Sequence, residues 1–244
     1  MGVLIEMKGV SFNAQNRAII QSFSYKFEEG LTTALLGPSG CGKSTVLKLS
    51  AGLLVPSEGT VYYRDKDIFL MNRQENLDFR REASMVFQDS ALWANQNIEQ
   101  ILELPLRVHY PKMTLNERKR RIREVLNEVG YSRDLSTRPA QLSMGEQKII
   151  GFARAIMCWP RLLFLDEWNE SVDDSTVTRL IDFVKRHQRE GNTVILVSHD
   201  FHIVKKLADH IVMIRRGQHF TNFSMEQLKG NDDLTKYIEG GIAS

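Results

Sequence analysis

The sequence is short of cysteine and of charge imbalance, and it has no long hydrophobic run. Two cysteines among 244 residues cannot build a disulfide framework, so a reducing cytoplasm is the expected compartment. No stretch approaches the ~20 apolar residues that a membrane-spanning helix needs. The start, MGVLIEMKGV, lacks the basic region and apolar stretch of a signal peptide. We therefore expect a chain that does not itself cross a membrane.

The net charge excludes few function classes and does not favour binding to a polyanion such as nucleic acid. The sequence has 32 Lys and Arg against 30 Asp and Glu, a net charge of +2. Such a balance gives no general argument for nucleic-acid binding, and we expect no nucleic-acid partner. At 42% hydrophobic residues, a chain of this length can bury a full core without disulfide support.

The apolar pattern predicts alternating strands and helices. Strand-like runs occur at Val3–Ile5, Phe23–Phe27, Leu31–Leu36, Thr60–Tyr63, Ala83–Phe87, Leu162–Leu165, Thr193–Val197 and His210–Ile214. Helical patterns occur at Lys43–Gly52, Leu115–Val129, Glu146–Cys158, Asp174–Arg189 and Phe201–Asp209. No convincing strand lies between Gln88 and Pro160. This order predicts an α/β fold with a mainly parallel sheet flanked by helices.

Two additions to that sheet are predicted. The short alternating strands within residues 3–63 predict an antiparallel β layer, and the helical middle predicts an inserted α-helical lobe at about residues 89–160. The main domain is expected to span residues 1–217, with residues 218–244 as a C-terminal extension. Apolar positions at Met225–Leu228 and Leu234–Ile238 suit short amphipathic helices in that extension.

The stretch GPSGCGKST follows a strand-like run and opens a predicted helix. Its glycines let backbone N–H groups approach an anion, while the helix N-terminus and a lysine add positive charge for nucleotide β and γ phosphates. A serine hydroxyl at this position can ligate Mg²⁺. The predicted ATP-binding residues are Gly37, Pro38, Ser39, Gly40, Cys41, Gly42, Lys43, Ser44 and Thr45.

Acidic residues end another strand that is predicted to be buried on both faces. Asp166 and Glu167 follow Leu162–Leu165, and parallel α/β folds place their chemistry at such strand ends. Asp166 can hold Mg²⁺ through water, and Glu167 can accept a proton from the water that attacks the γ phosphate. A solvated strand end is the alternative. His199, after the strand Thr193–Val197, is either a γ-phosphate contact or a capped surface histidine.

The segment Leu142-Ser143-Met144-Gly145-Glu146-Gln147 precedes the strand that ends in Asp166-Glu167. With the phosphate loop, this order resembles the ATP-binding cassette (ABC) ATPases, which have a P-loop NTPase fold, over nearly the whole chain. The resemblance implies ATP hydrolysis with Mg²⁺. It assigns Gln88 to the lobe-linking loop as a catalytic residue and metal ligand, and Asp173 to dimer communication.

In such ATPases two cassettes stack head to tail, and each nucleotide lies between one phosphate loop and the other subunit's signature. The resemblance therefore implies a second copy of this chain as partner, with Ser143, Gly145 and Glu146 acting in trans. It also implies integral membrane permease subunits and a peripheral location at the cytoplasmic face of the inner membrane. Met144, Glu146 and Trp168 depart from the family pattern. Phe12 is the nearest candidate to stack on adenine, with Ala14 as the alternative.

The helical middle carries a narrower resemblance. Residues 83–93, Asn97-Ile98 and Leu104-Pro-Leu-Arg107 resemble the cassettes of MCE-type phospholipid transporters of the bacterial envelope, as do residues 12–17 and 236–242. This resemblance implies an MCE-domain lipid-binding partner, with Leu92, Trp93 and Arg107 receiving a coupling helix. The alternatives are an importer ATPase for a small polar solute and a soluble cassette of cluster assembly.

Overall fold

The structure, a computed structural model, describes the backbone of residues 2–243 and the side chains of residues 2–240. Met1 and Ser244, at the outer ends of the predicted domain and extension, lie outside the described residues, as do the side chains of the last predicted tail positions. None of the helices within residues 2–243 is long and apolar enough to cross a membrane.

The strands of the described residues include the eight that alternation and buried apolar runs predict, and two that were not predicted, at Lys66–Asp67 and Gln218–Ser224. They are β1 Val3–Ala14, β2 Arg17–Glu28, β3 Thr32–Leu36, β4 Glu58–Tyr63, β5 Lys66–Asp67, β6 Ala83–Val86, β7 Leu162–Asp166, β8 Thr193–Val197, β9 His210–Arg215 and β10 Gln218–Ser224. The outer strands β1 and β2 extend well beyond their predicted apolar segments. They do so because their paired polar positions continue the ladder as far as a tight turn at Gln15 and Asn16, both at positive φ.

The helices include the five that were predicted for the main domain, and helices also lie at both positions predicted for the C-terminal extension. They are α1 Lys43–Ser50, α2 Arg73–Glu82, α3 Ile98–His109, α4 Leu115–Val129, α5 Met144–Ala155, α6 Asp174–Arg189, α7 Phe201–Leu207, α8 Met225–Leu228 and α9 Asp232–Ala243. Single turns of 3-10 helix lie at Ile68–Leu70 and Pro139–Gln141. Helices α4 and α6 match their predicted bounds, and α5 begins before its prediction because Ser143 caps it.

The chain divides into two compact units. The first unit contains the residues up to Asn76 and from His187 onward, and the second unit is Leu77–Arg186. In the first unit, β3 pairs in parallel with both β8 and β9, and β10 pairs antiparallel with β9. A separate antiparallel sheet has the order β2-β1-β4-β5, which confirms the predicted antiparallel layer.

In the second unit, β6 and β7 pair in parallel, with Val86 beside Leu165. Both strands are largely buried, and β7 is buried at every position. Helices α3, α4 and α5 occupy the chain between these two strands, and no strand is found among the described residues between them. The parallel pairs and the helical middle confirm the predicted fold class. The predicted domain boundaries stay a prediction.

Candidate active site

The phosphate loop lies in the first unit, between the end of β3 and the start of α1. Its backbone depends on glycine at Gly37, which has φ +148, where a Cβ would lie 2.1 Å from the carbonyl oxygen of Ile214 on β9. Gly42 at the helix N-cap has φ +104 and offers no side-chain cap. The first N–H groups of a helix have no partner inside it, so this end of α1 can bind an anion.

The side chain of Lys43, the first residue of α1, is buried against the loop that precedes this helix. Its Nζ atom donates to the carbonyl oxygens of Gly37 at 2.9 Å and Pro38 at 3.0 Å. These carbonyls satisfy an ammonium group that is only 6% exposed. The charge is thereby held at the centre of the loop, where a phosphate would meet it.

The other positions of the predicted loop fit the same purpose. Cys41 is buried, and burial raises the pKa of its thiol, so it acts as a small core side chain and not as a nucleophile. Its carbonyl accepts from the N–H of Gly217 at 3.0 Å, which fastens the loop to the turn between β9 and β10. Ser44 lies half-buried in the first turn of α1.

His199 lies at the same edge of the first unit's sheet as the phosphate loop. Strands β3 and β8 are parallel, with Leu35 beside Val197, so the residues after both strands emerge at one edge. His199 is exposed. Ser198 and Asp200 shape its turn, since the Ser198 Oγ accepts from the Asp200 N–H at 3.1 Å. The topology thus places the predicted loop and His199 at the same edge of the sheet.

The predicted carboxylates lie in the second unit, at the end of β7. Asp166 is the last residue of the strand and is fully buried, and Glu167 is 3% exposed. Glu167 has φ +45, a left-handed conformation that is strained for a residue with a side chain. Strain of this kind persists only where the surroundings hold it, and it clusters at functional sites.

Gln88 follows the neighbouring strand of the same unit. Because β6 and β7 are parallel and in register at Val86 and Leu165, Gln88 and Glu167 both follow the same edge of this strand pair. Gln88 is exposed, and its Nε2 atom donates to the Glu170 Oε2 at 3.4 Å. Sequence reasoning assigned no role to Glu170.

The predicted signature residues begin α5. Ser143 is the N-cap: its Oγ accepts from the Glu146 N–H at 3.2 Å, and the Glu146 carboxylate accepts from the Ser143 N–H at 2.8 Å. Glu146 also pairs with Arg133 at 2.7 Å, and this contact, with the Ser143 backbone, lowers the pKa of its carboxyl. Glu146 therefore serves the helix end, while Ser143 stays exposed beside it.

Gly145 packs tightly inside the second unit. A Cβ there would lie 2.5 Å from the carbonyl oxygen of Ser171. Asp173 begins the following helix, where its Oδ1 accepts from the Ser175 hydroxyl at 2.6 Å and the Thr176 N–H at 3.0 Å. These contacts lower the Asp173 pKa to about 2. Asp173 is thus an N-terminal cap of α6 as well as a candidate for contact with a second subunit.

Phe12 is half-buried on β1, where it pairs with Ile20 of β2. A partly exposed aromatic ring on a strand is available for stacking, but its pairing partner is part of the core. Adenine stacking by Phe12 stays a prediction.

Mg²⁺ fits the residue types that were predicted for it. Within residues 2–243 no group of three or more His, Cys, Asp or Glu could hold a metal ion. Mg²⁺ needs no such cage, since it uses one or two protein oxygens together with phosphate oxygens and water. The Ser44 hydroxyl, the Gln88 amide oxygen and the Asp166 carboxylate are oxygen ligands of that kind.

Comparison with known proteins defines the class. A family model described as ABC transporter matches residues 20–170. The chain belongs to this family, and it is an ATP-binding subunit that hydrolyses ATP coupled to transport.

Among its relatives are nickel import ATP-binding proteins NikE. The protein of Shigella flexneri serotype 5b is 34% identical over 214 residues, covering 86% of this chain and 80% of that protein. The protein of Escherichia coli strain K12 is 31% identical over 239 residues, covering 96% of this chain and 89% of that protein.

A solved structure agrees with this class. The dimeric ATP-binding cassette MJ0796, bound to ADP and phosphate after hydrolysis, has a TM-score of 0.83 and 26% identity, covering 91% of this chain and 99% of that chain. The fold also matches cbiO1 from Clostridium perfringens, part of the transporter complex cbiONQ, with a TM-score of 0.77 and 22% identity over 98% of this chain and 95% of that chain.

Proposed function

We propose that this chain is the ATPase of an importer for a small polar solute, with a divalent metal cation as the first solute to test. The observation that carries the proposal is the 34% identity to a nickel import ATPase over 80% of that protein's length. The comparisons support this alternative better than the phospholipid transporter predicted from residues 83–107, and no relative named above supports an MCE-domain partner.

The chemistry assigned to the chain divides between its two units. In the first unit, Lys43 and the N–H groups at the start of α1 bind nucleotide phosphates, and His199 contacts the γ phosphate. In the second unit, Glu167 accepts the proton of the attacking water. Ser44, Gln88 and Asp166 hold Mg²⁺, which neutralises phosphate charge when it is bound. Phe12 stacks on adenine.

The assembly is a symmetric dimer at the membrane. A second copy of the chain contributes Ser143 and Gly145, whose helix N-terminus is an anion site, and Asp173 connects the two sites. The dimeric structure of MJ0796 supports this arrangement. Permease subunits hold the dimer at the cytoplasmic face of the inner membrane. Trp93 is 43% exposed and Arg107 is exposed, so these residues, with half-buried Leu92, are accessible to a permease.

The experiment isolates the complex by a tag on this chain after gentle solubilisation, and identifies its protein partners, bound lipid and bound metal. We expect a permease and a solute-binding protein, with ATP turnover stimulated several-fold by the loaded binding protein. An MCE-domain protein with phospholipid would overturn the importer proposal and restore the lipid transporter. Soluble partners alone would point to cluster assembly instead.

A test of the docking surface uses charge. Trp93→Glu should prevent co-purification of the permease while ATP binding by the isolated chain is retained. The matched control is Trp159→Glu, at another half-exposed tryptophan of the second unit. If Trp93→Glu leaves assembly and coupled transport unchanged, the permease binds elsewhere.

A further inference from the structure

A second buried lysine lies outside the phosphate loop. Lys43 and Lys148 are the lysines buried among residues 2–240. The phosphate loop accounts for Lys43, but the roles described so far do not use Lys148. Burying an ammonium group is costly unless hydrogen bonds and opposite charges compensate it, so a lysine kept at 5% exposure within α5 needs a reason.

Lys148 is directed at the turn that carries the candidate general base. Its Nζ atom donates to the backbone carbonyl oxygen of Glu167 at 2.8 Å, in a buried hydrogen bond between residues that lie 19 apart in the sequence. Burial lowers the pKa of Lys148, while the charges of Glu170, Glu167, Asp166 and Asp89 raise it. The ammonium group therefore lies among the carboxylates at the end of β7 and offsets their mutual repulsion.

The backbone that receives this hydrogen bond is strained. Glu167 has φ +45 although it is buried and has a side chain. A conformation of this kind costs about 1–3 kcal/mol and persists only when neighbouring groups hold it. Lys148 supplies one such restraint.

We propose that Lys148 is a positioning residue for ATP hydrolysis, which holds the strained turn at Glu167 so that its carboxylate is correctly aimed, and which connects that turn to the signature helix. The proposal rests on the proposed role of Glu167 as general base. Because Ser143 and Lys148 are on one helix, movement of α5 on binding a partner's nucleotide is transmitted to the Glu167 backbone.

The test compares Lys148→Met, which keeps length but removes the donor and the charge, with Lys148→Arg, which keeps both, and with Lys148→Gln, which keeps a donor but is shorter and uncharged. We expect Lys148→Met to lower kcat about 10- to 100-fold, as a displaced catalytic group does, with KM for ATP changed less than about twofold. Arg should restore part of the activity. The control is Lys119→Met on α4, where the lysine is exposed and turnover should be unaffected.

A purely structural role is separated by combining Lys148→Met with Glu167→Gln. If Lys148 acts through Glu167, the second substitution should cause less than about twofold further loss in single-turnover hydrolysis, whereas independent effects would multiply. Should Lys148→Met not fold, Lys148→Gln decides by the same measurements, with an expected loss in kcat of about threefold or more. Wild-type kcat in the folded variant, or multiplicative losses, would overturn the proposal. Full turnover in Glu167→Gln alone would instead overturn the proposed general base.

Discussion

The phosphate loop and the end of β7 are both predicted to work on ATP, but they are built differently. The loop is made of backbone: glycines at positive φ, carbonyls that hold Lys43, and the open end of α1. The region at the end of β7 is made of buried charged side chains, namely Asp166, Glu167 and Lys148. The first arrangement is a local property of consecutive residues, whereas the second depends on which elements pack together.

This difference is tested most strongly at Glu167. Glu167→Gln should keep ATP binding but lower hydrolysis at least ~100-fold, because an amide cannot serve as the general base. The measurement is steady-state phosphate release beside nucleotide binding by fluorescence. Glu170→Gln is the neighbouring control and should have a much smaller effect, since it removes only a charge near Gln88 and Lys148. Equal losses in both variants would mean that charge, and not the position of a base, controls this region.

The backbone character of the loop is tested at Gly37. Gly37→Ala should cost about 2–3 kcal/mol locally, because the new Cβ meets a backbone oxygen. If the whole cost falls on the bound state, ATP affinity should fall about 30- to 150-fold by titration calorimetry. Gly191 also has a positive φ, +82, but nothing lies within 4 Å of the added carbon, so Gly191→Ala should lower stability without weakening ATP binding. Wild-type affinity in Gly37→Ala would contradict the view that the loop depends on its backbone.

His187 is a buried titratable group outside both regions, and it shows separately how burying an ionisable side chain affects stability. His187, 6% exposed, approaches the Asn192 amide through its Nδ1 at 3.3 Å, and burial lowers its pKa to about 4. In the unfolded chain the pKa of His187 is near 6.5, so as pH falls the unfolded state binds a proton before the folded state does. The contribution of His187 to the free energy of unfolding is therefore fully present above pH ~6.5 and is lost as pH falls toward ~4. Between pH 7 and pH 5 the free energy of unfolding should fall by about 2 kcal/mol from this group.

The measurement is urea unfolding at both pH values with and without His187→Asn. The substitution should reduce the pH dependence by about that amount and leave ATP binding intact. An unchanged slope would mean that other groups control the acid sensitivity of the chain.

The smallest effect on stability is expected at the N-cap of α5. Ser143→Ala should cost about 1 kcal/mol of stability by removing the cap. Ser143→Asp should retain the cap and the stability but repel phosphate, so ATP-dependent dimerisation should be weakened more in this variant than in Ser143→Ala. Sedimentation in the Glu167→Gln background with ATP measures the dimer. If the Ser143→Asp variant dimerises normally, Ser143 is a structural cap and not a signature ligand.

Local patterns in the sequence were sufficient for most of the core elements. Strand β8 and helices α4 and α6 have the bounds that were predicted, because buried apolar runs and periodic faces identify them. Helix α2 was missed because it is almost entirely polar and buries only Phe79. Helix α3 was missed because Pro105 interrupts its pattern, although the capping pair Asn97 and Gln100 marks its start.

What the sequence by itself determined is the phosphate loop, the strand that ends in Asp166 and Glu167, and the family. These are consecutive motifs that can be recognised from residue types at short spacing, and the roles of their residues stay predictions. Only the tertiary structure revealed the strained φ of Glu167, the approach of Gly145 to Ser171 and the hydrogen bond from Lys148. The signal for Lys148 was a lysine directly before the apolar Ile149 and Ile150 in a helix whose following residues are buried. Its partner is invisible in the sequence, because the fold, and not chain proximity, brings α5 next to the turn that follows β7.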